Sequence, residues 1–298
     1  MTAAGEPLQA ATGAKDKIAF ASARADNNTN FDIWVMNDDG TNPLRLTNDP
    51  LPEFQLAYSP DGTKTAFTRG GSTNREIYVM NADGTGQTQL TSNGLVDALP
   101  TWSPDGTQIA FLRVEPSSDR EIYVMNADGS GERDLTNDPA GNPAFDFDPD
   151  WSPDGTQIAF DSDRGGVPCA ALYTISPNGT DIRKLTADGL EAFGASWSPE
   201  GDKLAFSDHA CTGESDLFVM KTNGKGAPTQ LFETSDNEAG ATWSPDGERI
   251  AFERLKFVDD RFVFGSGEIY VMGEKGKSQT NLTNYPDADD IHPDWSPK

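Results

Sequence analysis

Five positions ahead of a recurring tryptophan or tyrosine, this chain carries a carboxylate in five copies out of six: Glu53, Asp97, Asp146, Glu238 and Asp290. The remaining copy has Ala192 at that position, with Glu191 one place earlier. Carboxylates gathered without a cation repel one another and their pKa values rise. A hard cation relieves that repulsion, and Ca2+ accepts roughly six to eight oxygens in a flexible shell where Mg2+ demands an octahedron. If the copies converge on one axis, the expected occupant is therefore calcium. Two copies offer more donors: Phe145-Asp-Phe-Asp-Pro-Asp150 contributes Asp148 and Asp150, and Asp289-Asp-Ile-His-Pro-Asp294 contributes Asp289, His292 and Asp294. Alternation along a strand would aim such acids to one face, and His292 adds a nitrogen suited to a transition metal. The rival reading leaves only water on the axis, each acid capping a turn or bonding an amide of the next copy.

Other chemistry finds little support. The only histidines are His209 and His292, and neither a Gly-x-Ser-x-Gly elbow nor a His-Glu-x-x-His helix motif is present. A carboxylate pair alone suffices for glycoside hydrolysis, so a protein that binds or cleaves a polysaccharide stays open as the enzymatic alternative. Cys169 and Cys211 fall in corresponding loops of successive copies, where a disulfide between them is expected and two reduced thiols are the alternative.

Charge narrows the partners. The 298 residues hold 48 acidic and 23 basic side chains, a formal charge of -25. Such a surface repels phosphate backbones, which argues against nucleic acid. No apolar run approaches the roughly 20 residues of a membrane helix, so no insertion is expected, and the N-terminus shows none of the regions of a signal peptide. Among the charged stretches, the loop carrying Phe257, Phe262 and Phe264 is the most apolar surface segment and the expected protein-contact patch.

The elements that must position these residues repeat as well. Tyr58, Trp102, Trp151, Trp197, Trp243 and Trp295 each open a Ser-Pro step, followed in all but the last by Asp-Gly or Glu-Gly, at intervals of 44 to 52 residues. That spacing marks a repeat architecture. After each turn comes a short apolar strand: Ile18-Ala-Phe20, Thr65-Ala-Phe67, Ile109-Ala-Phe111, Ile158-Ala-Phe160, Leu204-Ala-Phe206 and Ile250-Ala-Phe252. A third strand follows at Ile33, Ile77, Ile122, Leu172, Leu217 and Ile269, then an Asx-Gly or related turn and a fourth, more polar strand ending near Leu46-Thr47 and its equivalents. Four antiparallel strands repeated radially make a β-propeller. The chain begins at a second strand and ends after a first one, so residues 291–295 are expected to pair beside residues 17–20 and close the ring.

The combination Ile-Ala-Phe, Ile-Tyr-Val-Met-Asn-x-Asp-Gly, Leu-Thr and Trp-Ser-Pro-Asp-Gly resembles the WD40-like Pro-Asp (PD40) repeats of the TolB C-terminal propeller, over residues 17–297. The resemblance implies an all-β, six-bladed β-propeller of four antiparallel strands per blade, and an extracellular or periplasmic setting. The organisation expected is a flexible tail over residues 1–14 and a single propeller domain over 15–298, monomeric. The expected function is noncatalytic recognition of a protein, a glycan or another ligand at one propeller mouth.

Overall fold

The aromatic and β-branched triads form strands because every side chain in them is buried. Ile18, Phe20, Ile109, Phe111, Ile158, Phe160, Ile250 and Phe252 are all fully inaccessible, so these strands are covered on both faces. The computed structural model describes residues 16–25, 30–137, 144–164, 170–187, 190–208, 215–223, 226–258, 261–263 and 265–298. The tail expected over 1–14 and the cysteines Cys169 and Cys211 lie outside the described residues.

Each repeat is an antiparallel four-strand unit. In the second repeat the strands are Glu53–Tyr58, Lys64–Gly70, Arg75–Asn81 and Thr88–Gln89. The outer strand is only two residues long, and the Leu-Thr step lies just beyond it. There a threonine hydroxyl takes over the ladder: Thr47, Thr91, Thr136, Thr186 and Thr283 accept the amides of Ile33, Ile77, Ile122, Leu172 and Ile269 at 2.9–3.0 Å. A side chain thus satisfies a donor that the shortened strand would leave open.

The expectation of six separate four-stranded blades is corrected by the hydrogen bonding. Four sheets stand alone as four-stranded blades, whereas the second and third repeats merge into one eight-stranded sheet. The junction is a parallel bridge between Arg75 and Val96, in which the Arg75 amide donates to Leu95 O at 3.2 Å. The third strand of one repeat here runs far enough toward the axis to reach the first strand of the next. Arg120 and Phe145 make the equivalent bridge between the third and fourth repeats, as an isolated contact.

Asp290–Trp295 pairs with Lys17–Ser22, joining the two ends of the chain in one sheet. The six first strands pack in order around one axis, with Asp290–Trp295 seated between Asn237–Trp243 and Glu53–Tyr58. Each buried tryptophan is a plate between neighbours: Trp102, Trp197 and Trp243 donate their indole N–H to Ala57, Asp150 and Ser196 carbonyls of the preceding first strand at 3.2 Å. The Ser-Pro-Asp-Gly turns stack in the same sense. A Cβ at Gly62 would stand 3.3 Å from Pro297 Cγ, and Gly106, Gly155 and Gly201 abut Pro60, Pro104 and Pro153 alike, at φ of 67° to 70°. The contact of Gly62 with Pro297 carries this stack across the seam.

Every first strand bulges at one place. Gln55, Leu99, Asp148, Gly194, Gly240 and His292, three positions before the aromatic, all have φ between 46° and 63°. The register shifts there in all six repeats. An inserted residue of this kind bends the strand and re-aims side chains.

A ring closed through Trp295 bears load at the seam as it does elsewhere. Trp295→Ala and Trp197→Ala are each expected to cost about 3–5 kcal/mol in urea unfolding. A Trp295→Ala cost below about 1 kcal/mol would show the seam unloaded.

Candidate binding site at the channel mouth

The repeated carboxylates do not converge on the axis. Each is buried in its own repeat against an arginine on the second strand or just past its end: Asp97 with Arg113 through two bonds of 2.7 Å, Asp146 with Arg164 at 2.6 Å, Glu238 with Arg254 at 2.7 Å, Glu53 with Arg69 at 2.7 Å, and Asp290 with Arg24. Each guanidinium lies over aromatic rings of the second and third strands, as Arg113 does over Tyr123 at 4.4 Å and Phe111 at 5.3 Å. In the fifth repeat Ala192 faces Asp208 and no arginine stands on the second strand, while Glu191 is half-buried beside it. Each of these carboxylates gives an oxygen to a guanidinium of its own repeat, while Glu53 Oε2, Glu238 Oε2 and Asp290 Oδ1 are buried without a hydrogen-bond partner. Among the described residues no group of three or more His, Cys, Asp or Glu is arranged to hold a metal.

Burial pushes Glu238 up to about 7 and Asp290 up to about 6, against the pull of Arg254 and Arg24. The arginines were missed in the sequence, yet their signal is there. Arg69, Arg113 and Arg254 stand two residues after the second-strand phenylalanine, and Arg24 and Arg164 four after it.

The bulge breaks the alternation expected of the acid-rich segments. Asp146 turns into the sheet toward Arg164, whereas Asp148 and Asp150 both line the axis, as do His292 and Asp294. Asp289 instead anchors a loop, accepting the amides of Gly265 and Gly267 at 2.9 Å. The axis is a run of three connected cavities. A mouth of about 570 Å³ and a waist of about 190 Å³ share the bulge residues as lining, and a third cavity of about 270 Å³ lies at the Trp-Ser-Pro end.

At the waist, Asp150 and Asp294 bridge neighbouring repeats. Asp150 accepts the Trp197 amide at 2.8 Å and the Thr101 hydroxyl at 3.4 Å; Asp294 accepts the Tyr58 amide at 2.7 Å and the Thr242 hydroxyl at 3.4 Å. Burial raises each to about 7, and the charge of Asp150 adds to the rise at Asp294.

The larger mouth is polarised. On one wall Arg75 and Arg120 open the third strands of adjacent repeats and lie over Phe54 at 4.7 Å and over Phe147 at 4.5 Å. Neither is paired with a carboxylate among the described residues. Also lining the mouth are Asp148, Glu253 and His292, the His292 amide donating to Glu253 Oε2 at 2.7 Å. Burial, followed by the charge of Glu253, lifts Asp148 to about 6, and behind it Asp161 is raised well above the usual range by burial and by Asp148. The proposed contact loop forms a small hairpin pairing Phe257 with Phe262, while Phe264 lies outside the described residues.

Two outcomes follow from these charges. Arg113→Met strands the buried Asp97 and is expected to cost about 3–5 kcal/mol in urea unfolding, while Arg75→Met, with no carboxylate to abandon, costs under about 1 kcal/mol. Asp150 and Asp294 hold protons in the folded protein that the unfolded chain has released, so their contribution to stability falls as pH rises toward about 7 and is lost above it. The double variant Asp150→Asn, Asp294→Asn keeps one acceptor oxygen at each position for the Trp197 and Tyr58 amides, and the fall in Tm from pH 5 to pH 8 should shrink. An unchanged fall would place the titration elsewhere.

No curated protein matches the sequence. The chain is similar in structure to TolB from Acinetobacter baumannii, with a TM-score of 0.79 and 23% identity over 95% of this chain and 67% of that one. It also superposes on a putative TolB from Agrobacterium tumefaciens, TM-score 0.70 and 17% identity, covering 95% and 99%. A chain of the nidogen/laminin complex gives a TM-score of 0.71 at 13% identity, covering 94% and 98%. At these identities the likenesses speak to the fold. The TolB beta propeller domain family, PD40, matches residues 8–210, more than half of the sequence, and the chain belongs to it.

Proposed function

We propose that the protein is a noncatalytic recognition scaffold that binds a protein partner at the polarised mouth of its channel, in a periplasmic or extracellular setting. The observation that carries this reading is the pair Arg75 and Arg120, two guanidiniums without a carboxylate partner among the described residues, in a chain of formal charge -25. Elsewhere the fold spends buried arginines on carboxylates, so two that face none among the described residues, Arg75 Nε donating instead to Gly71 O at 3.1 Å, point to an anionic group that arrives from outside. Strain supports the same place. Gln55, Leu99, Asp148 and His292 hold positive φ without being glycine, a cost of order 1–3 kcal/mol each, and all four line the mouth.

The setting is supported by the TolB likeness and by the absence, among the described residues, of any helix long and apolar enough to cross a membrane. Capture from cell-envelope extract tests the reading. The immobilised chain should retain a partner that the variant Arg75→Glu, Arg120→Glu loses and that Pro60→Ala, Pro245→Ala, at the opposite opening, keeps. A partner retained by the mouth variant and lost by the other would move the site to the far end of the channel.

A further inference from the structure

We infer that the occupant of the mouth is a short peptide segment carrying both charges, its carboxylate held by Arg75 and Arg120 and its cation facing Asp148 and Glu253. The inference rests on the mouth being the binding site and adds what that site selects. A cavity of about 570 Å³ holds a few residues of peptide, too little for a folded surface to enter. An anion alone would meet Asp148 and Glu253 as well as the arginines. A cation alone would meet the arginines. Only a ligand with its two charges separated satisfies both sets, and the aromatic floor under each guanidinium keeps that wall from collapsing onto the acids.

The uncharged atoms of the cavity agree. Gln55 Oε1 and His292 Nδ1 are buried without a hydrogen-bond partner, and both residues line the mouth. Buried polar atoms without a partner are costly, and polar groups of a peptide in the cavity are what would satisfy them. Gly194 and Gly240, the two bulge residues without side chains, leave the wall open beside them, and Glu253 stands directly behind Gly240. The acid is thereby presented to the cavity past a position where any larger residue would screen it.

The test is calorimetric titration of the whole chain at low salt and at about 0.15 M salt, where the interaction should weaken. The probes are acetyl-Glu-Gly-Gly-Lys-amide, the two peptides in which Gln replaces either charged residue, and uncapped tetraglycine, whose charges are its termini. The doubly charged capped peptide should bind about tenfold more tightly than either half-neutral one. If termini are the natural source, tetraglycine matches or exceeds it. In Arg75→Gln, Arg120→Gln, discrimination against loss of the acid should vanish while that against loss of the base persists; Asp148→Asn should give the reverse. Circular dichroism and Tm confirm that each variant is folded. Equal binding of all four probes, or no saturation by about 10 mM, overturns the inference. If envelope capture still depends on Arg75 and Arg120 in that event, the recognition site stands and only its selectivity for a dipolar peptide falls.

Discussion

A single extra residue in each first strand shapes the centre of this molecule. Without it, the strand would continue its alternation and send every second side chain back into a sheet already filled by the Ile-Ala-Phe layer. With it, two residues oppose one phenylalanine, the backbone passes through positive φ, and the three residues before the aromatic turn toward the axis. Six such insertions, one per repeat, line a channel in which Gln55, Asp148, Asp150, His292 and Asp294 stand among alanine, proline, leucine and glycine. Glycine does this without strain at Gly194 and Gly240; Gln55, Leu99, Asp148 and His292 do it at a cost, and so keep a side chain at the mouth.

That cost is offset in the layer behind. The buried carboxylate at the start of each first strand and the arginine on the strand beside it hold the two together just before the ladder slips register. A desolvated ion pair contributes little by itself, since withdrawing both charges from water costs nearly what their attraction returns. Its contribution here is to specificity: the pair is satisfied only when carboxylate, guanidinium and aromatic plates align, and a strand shifted by one residue would bury an unpaired charge. The fifth repeat shows that the device is dispensable once. There Ala192 and Gly194 replace carboxylate and bulge side chain together, and the strand still packs.

How much of this was legible in the sequence follows from what kind of signal each feature leaves. The repeat, the order of its strands and the pairing of Asp290–Trp295 with Lys17–Ser22 rest on buried triads and turn residues, which recur as letters. The merging of the second and third repeats does not, because the Arg75 to Val96 bridge depends on where a backbone ends, and the same Arg-Glu-Ile-Tyr-Val-Met segment at Arg120 makes only an isolated contact. The bulge was hidden as well. Four of its six positions carry ordinary side chains, so nothing in the letters of those four copies breaks a strict alternation. Gly194 and Gly240 at the same repeat position were the available hint. The arginine partners repeat as plainly as the acids do, but at two different offsets from the phenylalanine, so a search for one spacing passes over them.

The distribution of positive charge then separates structure from recognition. A chain this acidic has few arginines, and five of them are committed to buried carboxylates at equivalent positions of the repeat. Each of those five guanidiniums lies against aromatic rings with its charge matched by a buried carboxylate. Arg75 and Arg120 share the aromatic support and lack the carboxylate, and they stand where the channel opens. A guanidinium half-withdrawn from water on an aromatic floor, with no internal anion, is costly to maintain for packing alone, because a neutral side chain of similar length would cover Phe54 or Phe147 equally well. The surrounding negative field makes the contrast sharper. On the proposed reading it would repel an anionic partner from most of the surface, and Arg75 and Arg120, the cationic side chains lining the mouth among the described residues, would then orient that partner before contact.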